Sequence, residues 1–455
     1  MELAGRNVLV VGLGKTGEAA ASFLLRRGAR VTITEKKTEA ELGPAAAGWR
    51  ERGAALETGG HTLRAFLAAD LIVPSPGVPR LPEFQAALDR GVPILSEIEL
   101  ASRFLKGTVI GVTGTNGKST TTTLIHRILR EAGRRARLAG NIGTPLLSFV
   151  DRSREADVYV VEVSSFQLEY AHAFHASIAA VLNLSPNHLD WHPTYDRYAA
   201  AKKRLVAAQR RGDAAVLNRD DAAVWGWGAE LLSDVHGFSR RRPVRRGAFV
   251  RDGWIVVRDG PERRVMPVAE VKLPGTHNLE NVLAAAAVAH RAGAAPAEIR
   301  TATRRFPGLE HRLEPVLTHR GVAFVNDSKA TTVAATLKAL ASFDRPVVLI
   351  LGGKDKGSDF APLRRAVRGK VRSVVLVGSA KEKIRKALDG AVPVAEAAAF
   401  ADVVPLAFGA AERGDVVLLA PACTSWDMFR NFEERGRAFK RAARRLAGGR
   451  AGRRS

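Results

Sequence analysis

The sequence has almost no cysteine and no long apolar segment. Cys423 is the single cysteine among 455 residues, which excludes an internal disulfide framework and fits a reducing compartment. No apolar run approaches the roughly 20 residues needed to cross a bilayer. Met1 runs almost directly into a predicted strand at 7–11, without a signal peptide. We therefore expect a cytoplasmic protein that does not insert into a membrane.

Acidic residues are few relative to basic ones. The chain has 46 Asp and Glu against 70 Lys and Arg, a formal net charge of +24. Such an excess is compatible with nucleic-acid binding. However, the arginines are spread widely, with clusters only at 240–246 and 444–455, and the chain has neither an aromatic RNA-binding motif nor a zinc-ligand spacing. We expect no nucleic-acid partner, and a basic surface that attracts acidic small substrates such as nucleotides.

Length and pattern predict three α/β domains. A chain of 455 residues accommodates about three domains of ~150 residues each, and strands alternating with helical segments favour parallel sheets with helices on both faces. The predicted division is a Rossmann-like domain at 1–96, a central P-loop ATPase-type α/β domain at 97–306, and a Rossmann-like domain at 307–455 that ends in a frayed basic tail. A hairpin is expected at 248–257, where an Asp-Gly pair separates alternating apolar residues.

The most informative motif is a glycine-rich loop between a short apolar strand and a helix. Residues 112–122 read V-T-G-T-N-G-K-S-T-T-T. Gly114 and Gly117 let successive N–H groups face one anion, and the helix start adds its own N–H groups. Lys118 suits the outer phosphates, and Ser119 or the next threonine offers a hydroxyl to magnesium. The chain has valine where a strict G-x-x-x-x-G-K-[ST] begins with glycine. The loop predicts ATP binding, with a ligand-free turn as the alternative.

A second glycine-rich turn lies near the N-terminus. Gly12, Gly14 and Gly17 follow the strand at 7–11, and Glu35 ends the next strand. This matches the dinucleotide-binding fingerprint, which has an acid about 20 residues downstream. Alone it is a weak signal for NAD, because the same turn can bind any phosphate. An NAD-dependent oxidoreductase would also leave the loop at 113–119 unexplained.

Three further polar side chains are placed for chemistry in the middle of the chain. Glu162 ends an apolar strand, where parallel sheets bind ligands, and can hold magnesium through oxygen; the alternative is a helix N-cap. His188 follows the strand at 178–182 in a polar loop and is a candidate for a metal or substrate role, although lone histidines are often structural. Lys202 lies in a predicted helix and is only a candidate, since charge runs on helices are usually solvated.

The later part of the chain supplies amide, guanidinium and loop groups. Asn278 and Asn281 are one helical turn apart and share a face, so they can donate to a purine or cap the helix. Arg312 suits a phosphate fork. Three polar turns each follow a predicted strand and are expected to share one sheet edge: 326–332, 352–357 and 420–427.

Together these motifs resemble the Mur ligases, ATP-dependent amide-bond-forming enzymes of peptidoglycan assembly. The resemblance rests on T-G-T-N-G-K-S-T, E-V-S-S-F-Q-L, N-x-x-x-N-H-L-D, A-A-A-K-K-R, H-N-x-x-N and H-R, and it covers about residues 8–439. Within the family, N-D-S-K-A-T, G-G-x-D-K-G and P-A-C-T-S-W-D-M-F-R-N-F-E-E-R-G resemble the members that add D-glutamate to UDP-N-acetylmuramoyl-L-alanine. A sister ligase or a folate polyglutamate synthase is the nearest alternative, and the N-D-S-K-A-T turn disfavours both.

The resemblance implies binding sites for ATP, two magnesium ions and two further substrates. The catalytic residues would be Lys118, Glu162, His188 and Lys202. Magnesium would be held by Ser119, Glu162, His188 and a carbamylated Lys202. ATP would be bound by Gly114, Thr115, Asn116, Gly117, Lys118, Ser119, Thr120, Asn278, Asn281, Arg312 and Asp327. The UDP-muramoyl substrate would lie near Lys15, Thr16, Lys36, Lys37, Ser75 and Asn141. D-Glutamate would be held by Lys329, Thr331, Lys356, Ser425 and Phe432.

The implied reaction needs no protein nucleophile. The substrate carboxylate attacks the γ-phosphate to give an acyl phosphate, and the amine of D-glutamate then attacks the carbonyl and expels phosphate, with positioning and charge neutralisation as the main aids. The expected partners are therefore small molecules only, and the expected state is a monomer. Two positions depart from the family pattern. Asn187 replaces the Asp expected before the metal histidine, and T-E-K-K at 34–37 replaces an expected Asp-Thr-Arg.

Overall fold

The computed structural model describes residues 1–188, 191–273 and 275–448. These residues form two compact units. The first comprises 1–272 and 276–306, and the second comprises 273, 275 and 307–448 within the described part of the chain. Each of the three predicted blocks contributes one β-sheet, so the predicted α/β class is confirmed. The domain limits at 96 and 306 stay predictions.

The first sheet of the first unit is fully parallel, with strand order β3-β2-β1-β4. Its strands are β1 (Asn7–Val11), β2 (Arg30–Glu35), β3 (Ala55–Thr58) and β4 (Leu71–Pro74). The helices around it are α1 (Lys15–Arg26), α2 (Glu39–Leu42), α3 (Pro44–Glu51), α4 (Leu63–Leu67), α5 (Pro82–Asp89) and α6 (Glu97–Ser102). A side chain at Gly17 would collide with the carbonyl of Gly12, so glycine is required where α1 packs on the turn after β1.

The second sheet of this unit has nine strands in the order β13-β12-β11-β10-β9-β8-β5-β7-β6. These strands are β5 (Thr108–Thr113), β6 (Arg135–Gly140), β7 (Asp157–Glu162), β8 (Ile178–Val181), β9 (Ala214–Asn218), β10 (Asp234–Ser239), β11 (Gly247–Arg251), β12 (Trp254–Arg258) and β13 (Glu262–Pro267). The helices are α7 (Lys118–Glu131), α8 (Ser165–Glu169), α9 (Tyr195–Ala207), α10 (Ala222–Gly226), α11 (Thr276–Arg291) and α12 (Pro296–Arg304). Short 3₁₀ helices lie at Leu146–Arg152, Trp227–Glu230 and Val268–Glu270.

The predicted hairpin is confirmed at one edge of this sheet. Strands β11 and β12 pair antiparallel and are joined by Asp252 and Gly253, whose φ angles of 49° and 74° are both positive. A two-residue turn of this kind matches the twist of the strands it connects. The remaining strands from β6 to β11 are parallel.

The two sheets of the first unit share one continuous apolar core. Ile98, Leu100 and Ala101 on helix α6 belong to the same buried cluster as residues of both sheets. Ile94, just before this helix, makes an isolated parallel bridge with Ile72 of β4. Helix α6 is therefore the packed junction between the first sheet and the second.

The second unit is built on a six-stranded sheet with the order β14-β15-β19-β16-β17-β18. Only the edge strand β14 is antiparallel to its neighbour among these pairings. The strands are β14 (Glu314–His319), β15 (Val322–Asn326), β16 (Val347–Gly352), β17 (Val371–Val377), β18 (Val394–Glu396) and β19 (Val416–Leu419). The helices are α13 (Val333–Ala341), α14 (Ala361–Val367), α15 (Lys381–Leu388), α16 (Val403–Gly409) and α17 (Phe432–Gly448), with a 3₁₀ helix at Phe400–Asp402.

The C-terminal end of the chain differs in part from the prediction. Ala447 and Gly448, expected to fray, complete helix α17, because the apolar stripe of that helix, including Phe439 and Ala443, is buried against the sheet. Residues 449–455 lie outside the described residues. Across the helices that the structure describes, none combines the length and apolar character required to span a membrane.

Candidate functional site

The glycine-rich loop lies between β5 and α7, as predicted, and its backbone shape depends on glycine. Gly114 and Gly117 have φ angles of 149° and 84°, a region that side-chain-bearing residues rarely adopt. Asn183, from the turn after β8, fixes the loop. Its carbonyl accepts the N–H of Thr115 at 2.9 Å, and its Oδ1 accepts the N–H of Asn116 at 2.8 Å. The loop is thus held open at the carboxyl edge of the sheet.

Asn278 and Asn281 lie on one face of α11, beneath this loop. Their side chains are linked, since Asn281 Nδ2 donates to Asn278 Oδ1 at 3.1 Å. Asn281 Oδ1 accepts from Thr121 Oγ1 at 3.3 Å, and a side chain at Gly117 would collide with it. Helix α11 begins at Thr276, so Asn278 is not its N-cap. The predicted shared face of the two asparagines is confirmed, and Asn281 packs directly against the loop at Gly117.

Two lysine side chains meet at the loop backbone. Lys118 Nζ donates to the carbonyl oxygens of Gly114 at 2.9 Å and Thr115 at 3.0 Å. Lys202 Nζ donates to the same Gly114 oxygen at 2.9 Å. Lys202 is only 1% exposed, so its alternative interpretation as a solvated surface charge is wrong. Burial, and then the neighbouring Lys118 charge, lower the pKa of Lys202 well below its ordinary value, with Glu162 opposing them.

Glu162 occupies the carboxyl end of β7 and is also buried, at 2% exposure. Its Oε1 accepts from Asn141 Nδ2 at 2.8 Å, while its Oε2 has no hydrogen-bond partner among the described residues. The alternative that Glu162 caps the next helix is wrong. Ser164 is the N-cap of α8, and its Oγ accepts the N–H of Gln167 at 3.2 Å. A buried, half-satisfied carboxylate of this kind is suited to a cation.

His188 is an exposed residue with a positive φ of 53°, and its ring centroid lies 4.8 Å from that of Phe166. His192 was not among the predicted site residues, yet it is 1% exposed and its backbone N–H donates to the His188 carbonyl at 2.9 Å. Burial, followed by the charge of Lys202, lowers the pKa of His192 to about 4. The i, i+4 spacing of the two histidines was the available signal, and residues 189–190 between them lie outside the described residues.

A cavity of about 670 Å³ lies at the carboxyl edge of the first sheet, beside the turn at 140–145. Five of the six residues predicted to contact the UDP-muramoyl substrate line it: Lys15, Thr16, Lys36, Ser75 and Asn141. Lys37 is absent from the lining. Glu35, the acid of the fingerprint, is engaged locally, since its Oε2 accepts the N–H of Leu13 at 2.6 Å. Glu35 therefore stabilises the glycine turn instead of presenting both its oxygens to a ligand.

In the second unit, the three predicted polar turns follow β15, β16 and β19, as expected. Lys329 Nζ lies 5.1 Å from the ring centroid of Phe432, and Lys356 Nζ lies 4.1 Å from that of Trp426. Ser425 is 1% exposed, and its Oγ has no hydrogen-bond partner among the described residues. The Thr331 N–H donates to the Lys329 carbonyl at 2.8 Å. These turns thus present two cations and a buried hydroxyl.

Arg435 is a buried cation that was not among the predicted site residues. It is fully buried at 0% exposure. Its guanidinium donates to Ser328 Oγ at 3.0 Å, to the Ser328 carbonyl at 2.8 Å and to the Cys423 carbonyl at 3.1 Å. A Cβ on Gly353 would lie 3.1 Å from its Nη1. One planar donor group therefore joins the turns of Ser328 and Cys423 and lies beside Gly353 of the third turn. The E-E-R-G run after an aromatic residue was the available signal.

Asp327 and Arg312 lie near each other in the second unit. Asp327 Oδ1 accepts the N–H of Leu313 at 3.3 Å. Burial raises the pKa of Asp327 to about 6, with the charge of Arg312 opposing that rise. Nearby, Glu310, His311 and Glu314 form a metal-like group among the described residues. There the ammonium of Lys440 lies 2.7 Å from an oxygen of each carboxylate and already supplies the cation.

Comparison with known families covers most of the chain. Three family models match in sequence order: "Mur ligase MurD-like, N-terminal domain" at residues 6–96, "Mur ligase middle domain" at 112–289, and "Mur ligase, glutamate ligase domain" at 311–423. The first and third matches each contain one whole sheet, and the middle match contains β6 to β13 and the last two residues of β5. The middle match contains the glycine-rich loop, Glu162, His188, Lys202 and both asparagines of α11.

Individual proteins are similar over nearly their whole length. A UDP-N-acetylmuramoylalanine–D-glutamate ligase from Acidobacterium capsulatum is 49% identical over 97% of this chain and 96% of its own. A protein of the same name from Koribacter versatilis is 47% identical over 98% and 99%. The solved UDP-N-acetylmuramate–alanine ligase of Thermotoga maritima shares the fold, with a TM-score of 0.58, 18% identity and coverage of 98% and 100%. The fold, its glycine-rich loop and these relatives together establish that the chain belongs to the Mur ligase family.

Proposed function

We propose that this protein is an ATP-dependent ligase that joins D-glutamate to UDP-N-acetylmuramoyl-L-alanine through an acyl phosphate, in the cytoplasmic synthesis of peptidoglycan precursors. The relatives that carry this activity in their names are 42–49% identical over nearly the full chain. Its partners are the small molecules ATP, D-glutamate and the UDP-substrate. It acts as a monomer, without a nucleic-acid partner and without insertion into a membrane.

The observation that best supports this function is the pair of lysines at the phosphate loop. Lys118 and Lys202 donate to one carbonyl oxygen, that of Gly114, and the buried carboxylate of Glu162 acts electrostatically on Lys202. A lysine with a purely structural role would not have to lie at the loop backbone. A lysine that binds the outer phosphates of ATP does have to lie there, because Lys118 can then exchange carbonyl oxygens for phosphate oxygens at little geometric cost.

The residues at this edge of the sheet fit magnesium. Glu162 Oε2 is buried without a hydrogen-bond partner among the described residues, Ser119 is 4% exposed, and carboxylate and hydroxyl oxygens are ligands that magnesium accepts. We assign one ion to Ser119 and Glu162 and a second to His188 and a carbamylated Lys202. When bound, the metal neutralises negative charge on the phosphates that react. Asn187 precedes His188 without adding the negative charge of an Asp.

Carbamylation of Lys202 is supported by its environment. The pKa of this amine is lowered well below the usual value by burial and by Lys118, so its neutral form is more accessible than that of a solvated lysine. A neutral amine can add to CO₂: a nitrogen–carbon bond forms, a proton is released, and a carbamate remains. That product replaces a positive charge with a negative one. It therefore removes the repulsion from Lys118 and supplies oxygen ligands for a cation.

The chain's own groups then have distinct tasks. The loop N–H groups, Lys118 and the α11 asparagines bind ATP, together with Arg312 and Asp327. The first-sheet cavity binds the UDP-substrate through Lys15, Thr16, Lys36 and Ser75, with Lys37 as a further contact and Asn141 near the lactoyl-alanine end of the substrate. Lys329, Thr331, Lys356, Ser425 and Phe432 bind D-glutamate. Within these sites the substrate carboxylate attacks the γ-phosphate, and the amine of D-glutamate attacks the resulting acyl phosphate and releases phosphate.

The test is phosphate release from ATP in the presence of UDP-N-acetylmuramoyl-L-alanine and magnesium, with amino acids supplied one at a time. D-Glutamate is expected to support turnover, whereas L-glutamate, D-alanine and meso-diaminopimelate are not. Mass spectrometry should show the UDP-substrate extended by one glutamyl residue. Equal turnover with another amino acid, or release that requires no UDP-substrate, would overturn the proposal.

A further inference from the structure

Glu97 is a buried carboxylate at the junction of the two sheets of the first unit. It is the first residue of α6, three residues after the bridge between Ile94 and Ile72 of the first sheet. Its exposure is 1%. Both acids of the S-E-I-E-L run, Glu97 and Glu99, are buried in the protein.

The Glu97 carboxylate binds the start of the 3₁₀ helix Leu146–Arg152. Its Oε1 accepts the N–H of Leu147 at 2.7 Å, and the nearby backbone amide of Leu146 also acts to lower the pKa of this carboxyl group. Pro145 holds the N-cap position of this helix and supplies no side-chain acceptor. The first N–H groups of a helix need acceptors from outside it. Glu97 therefore caps this helix from a distant part of the chain.

The turn that precedes this helix forms one wall of the substrate cavity. Gly140, Asn141, Gly143 and Pro145 all line the cavity of about 670 Å³. The other end of the turn is fixed at β7, because the Asn141 N–H donates to the Glu162 carbonyl at 2.9 Å. The turn is tight, since a Cβ on Gly143, at φ 75°, would lie 2.8 Å from a backbone oxygen. The cavity wall is therefore anchored by Glu162 at one end and by Glu97 at the other.

Neighbouring charges do not neutralise Glu97. On α6 itself, Glu99 Oε2 accepts the Ala173 N–H at 2.9 Å and its Oε1 accepts from Arg103 Nη2 at 2.7 Å. On the 3₁₀ helix, the carboxylate of Asp151 is paired with Arg26 and Arg27. The residue that follows Asp151 in the sequence, Arg152, is the other charged residue of this helix. Glu97 Oε2 is buried with no hydrogen-bond partner among the described residues. A lone carboxylate in such a place is costly for stability, which indicates a role other than folding.

We propose that Glu97 is a positioning residue for the UDP-substrate: its ionised carboxylate holds the turn at 141–145 in the binding conformation, and a proton on that carboxylate weakens substrate binding. This inference rests on the function proposed above. The anionic carboxylate makes a charge-assisted bond to the Leu147 amide, and the neutral acid accepts that bond less strongly. Burial raises the pKa of Glu97 to about 7, with the Leu147 and Leu146 amides opposing the rise, so both forms are populated near neutral pH.

The experiment measures binding of UDP-N-acetylmuramoyl-L-alanine by calorimetry between pH 6 and pH 8, without ATP, for the wild type, Glu97→Gln and Glu99→Gln. Glu99→Gln is the matched control, because Glu99 is an equally buried acid on the same helix that binds the amide of Ala173 instead. The wild-type and Glu99→Gln dissociation constants are expected to rise about tenfold from pH 8 to pH 6 as Glu97 is protonated. The Glu97→Gln variant is expected to bind the UDP-substrate weakly, with the same dissociation constant at both pH values.

Steady-state kinetics supplies the second readout. Glu97→Gln should raise the KM for the UDP-substrate about tenfold at pH 8 and leave kcat at saturation within about twofold, since no reacting atom is touched. Glu97→Gln binding equal to wild type at pH 8, or retaining the wild-type pH dependence, would overturn the inference. If that variant does not fold, a flat wild-type series overturns it equally. Wild type that binds no UDP-substrate at any pH would instead count against the proposed function.

Discussion

Lys118 and Lys202 each donate to the carbonyl oxygen of Gly114 at 2.9 Å. Two ammonium groups on one acceptor repel each other, and the buried one carries the larger penalty because it lacks solvent. The result is an amine at position 202 that is chemically different from every solvated lysine on the same helix. This difference leads directly to the first prediction.

Lys202→Ala should lower kcat by roughly 100-fold or more, because a ligand is lost from the second magnesium ion, which neutralises charge at the phosphates. Short carboxylic acids such as formate or acetate should restore part of the activity by replacing the carbamate, and intact-mass analysis of the wild type under CO₂ should show one added CO₂. Lys203→Ala is the control, since Lys203 bonds Glu230 at the surface and should behave as wild type. Failure of rescue together with the absence of added mass would exclude the carbamate.

Lys118→Ala should reduce ATP-dependent turnover by roughly 10³-fold with little effect on folding. Its ammonium bonds the loop carbonyls of Gly114 and Thr115, and Lys118 is not part of the apolar core cluster that the described residues of the first unit form. The comparison variant is Lys106→Ala, an exposed lysine just before β5. Turnover and the midpoint of thermal unfolding should be measured together. If the activity of Lys118→Ala stays within a few-fold of wild type, the hypothesis that this loop binds the phosphates of ATP is wrong.

Gly117→Ala should weaken the binding of an ATP analogue at least tenfold. The new methyl group would collide with Asn281 Oδ1, and the residue would be forced to keep a φ of 84°, so the loop must move. Gly133→Ala isolates the backbone strain, because Gly133 has a similar φ of 71° but nothing within 4 Å of the added carbon. That control should lose about 1 kcal/mol of stability and retain nucleotide affinity. Equal affinities in both variants would show that the loop tolerates the collision.

Arg435→Lys should raise the KM for D-glutamate tenfold or more, about 1.4 kcal/mol, while the KM values for ATP and the UDP-substrate stay near wild type. A single ammonium cannot reproduce the planar set of bonds that joins the turns of Ser328 and Cys423. Arg437→Lys, at an exposed position on the same helix, is the matched control. A uniform rise in all three KM values would indicate a general loss of structure instead.

Glu97 also makes stability depend on pH. Its pKa rises from 4.5 to about 7 on folding, so the folded state holds a proton that the unfolded state has lost between these values. The stabilisation relative to Glu97→Gln is therefore complete below about pH 4.5 and disappears as the pH rises to 7, a change of about 3 kcal/mol. Urea unfolding of both proteins from pH 4.5 to pH 8 checks this. Parallel stability curves for the two proteins would contradict it.

The strands and loops were predictable because they depend on short-range chemistry. The apolar run of β5, the glycines of its loop and the hydroxyls at the start of α7 stand in sequence order, and the Asp-Gly pair fixes its hairpin by local geometry. The same holds for the three polar turns of the second unit, each of which follows a buried strand.

The long-range partners of single charges were not predictable in this way. Lys202 and Lys203 are adjacent and identical in type, yet one is 1% exposed and the other bonds a surface glutamate. Only the packing of α9 against the loop decides which faces inward. Arg435 and Glu97 are similar cases, because each is buried by bonds to backbone groups about 12 to 107 positions away, and backbone acceptors and donors leave no mark in the sequence.

Cys423 has a practical consequence for solution studies of this protein. It is the single cysteine of the chain, it is 2% exposed, and burial raises the pKa of its thiol to about 12. Since the thiolate is the reactive form, maleimides and other alkylating probes should leave the native chain unlabelled. A cysteine introduced at an exposed position such as Leu232, which is 70% exposed, would then carry a fluorophore or spin label alone, without prior removal of the native thiol.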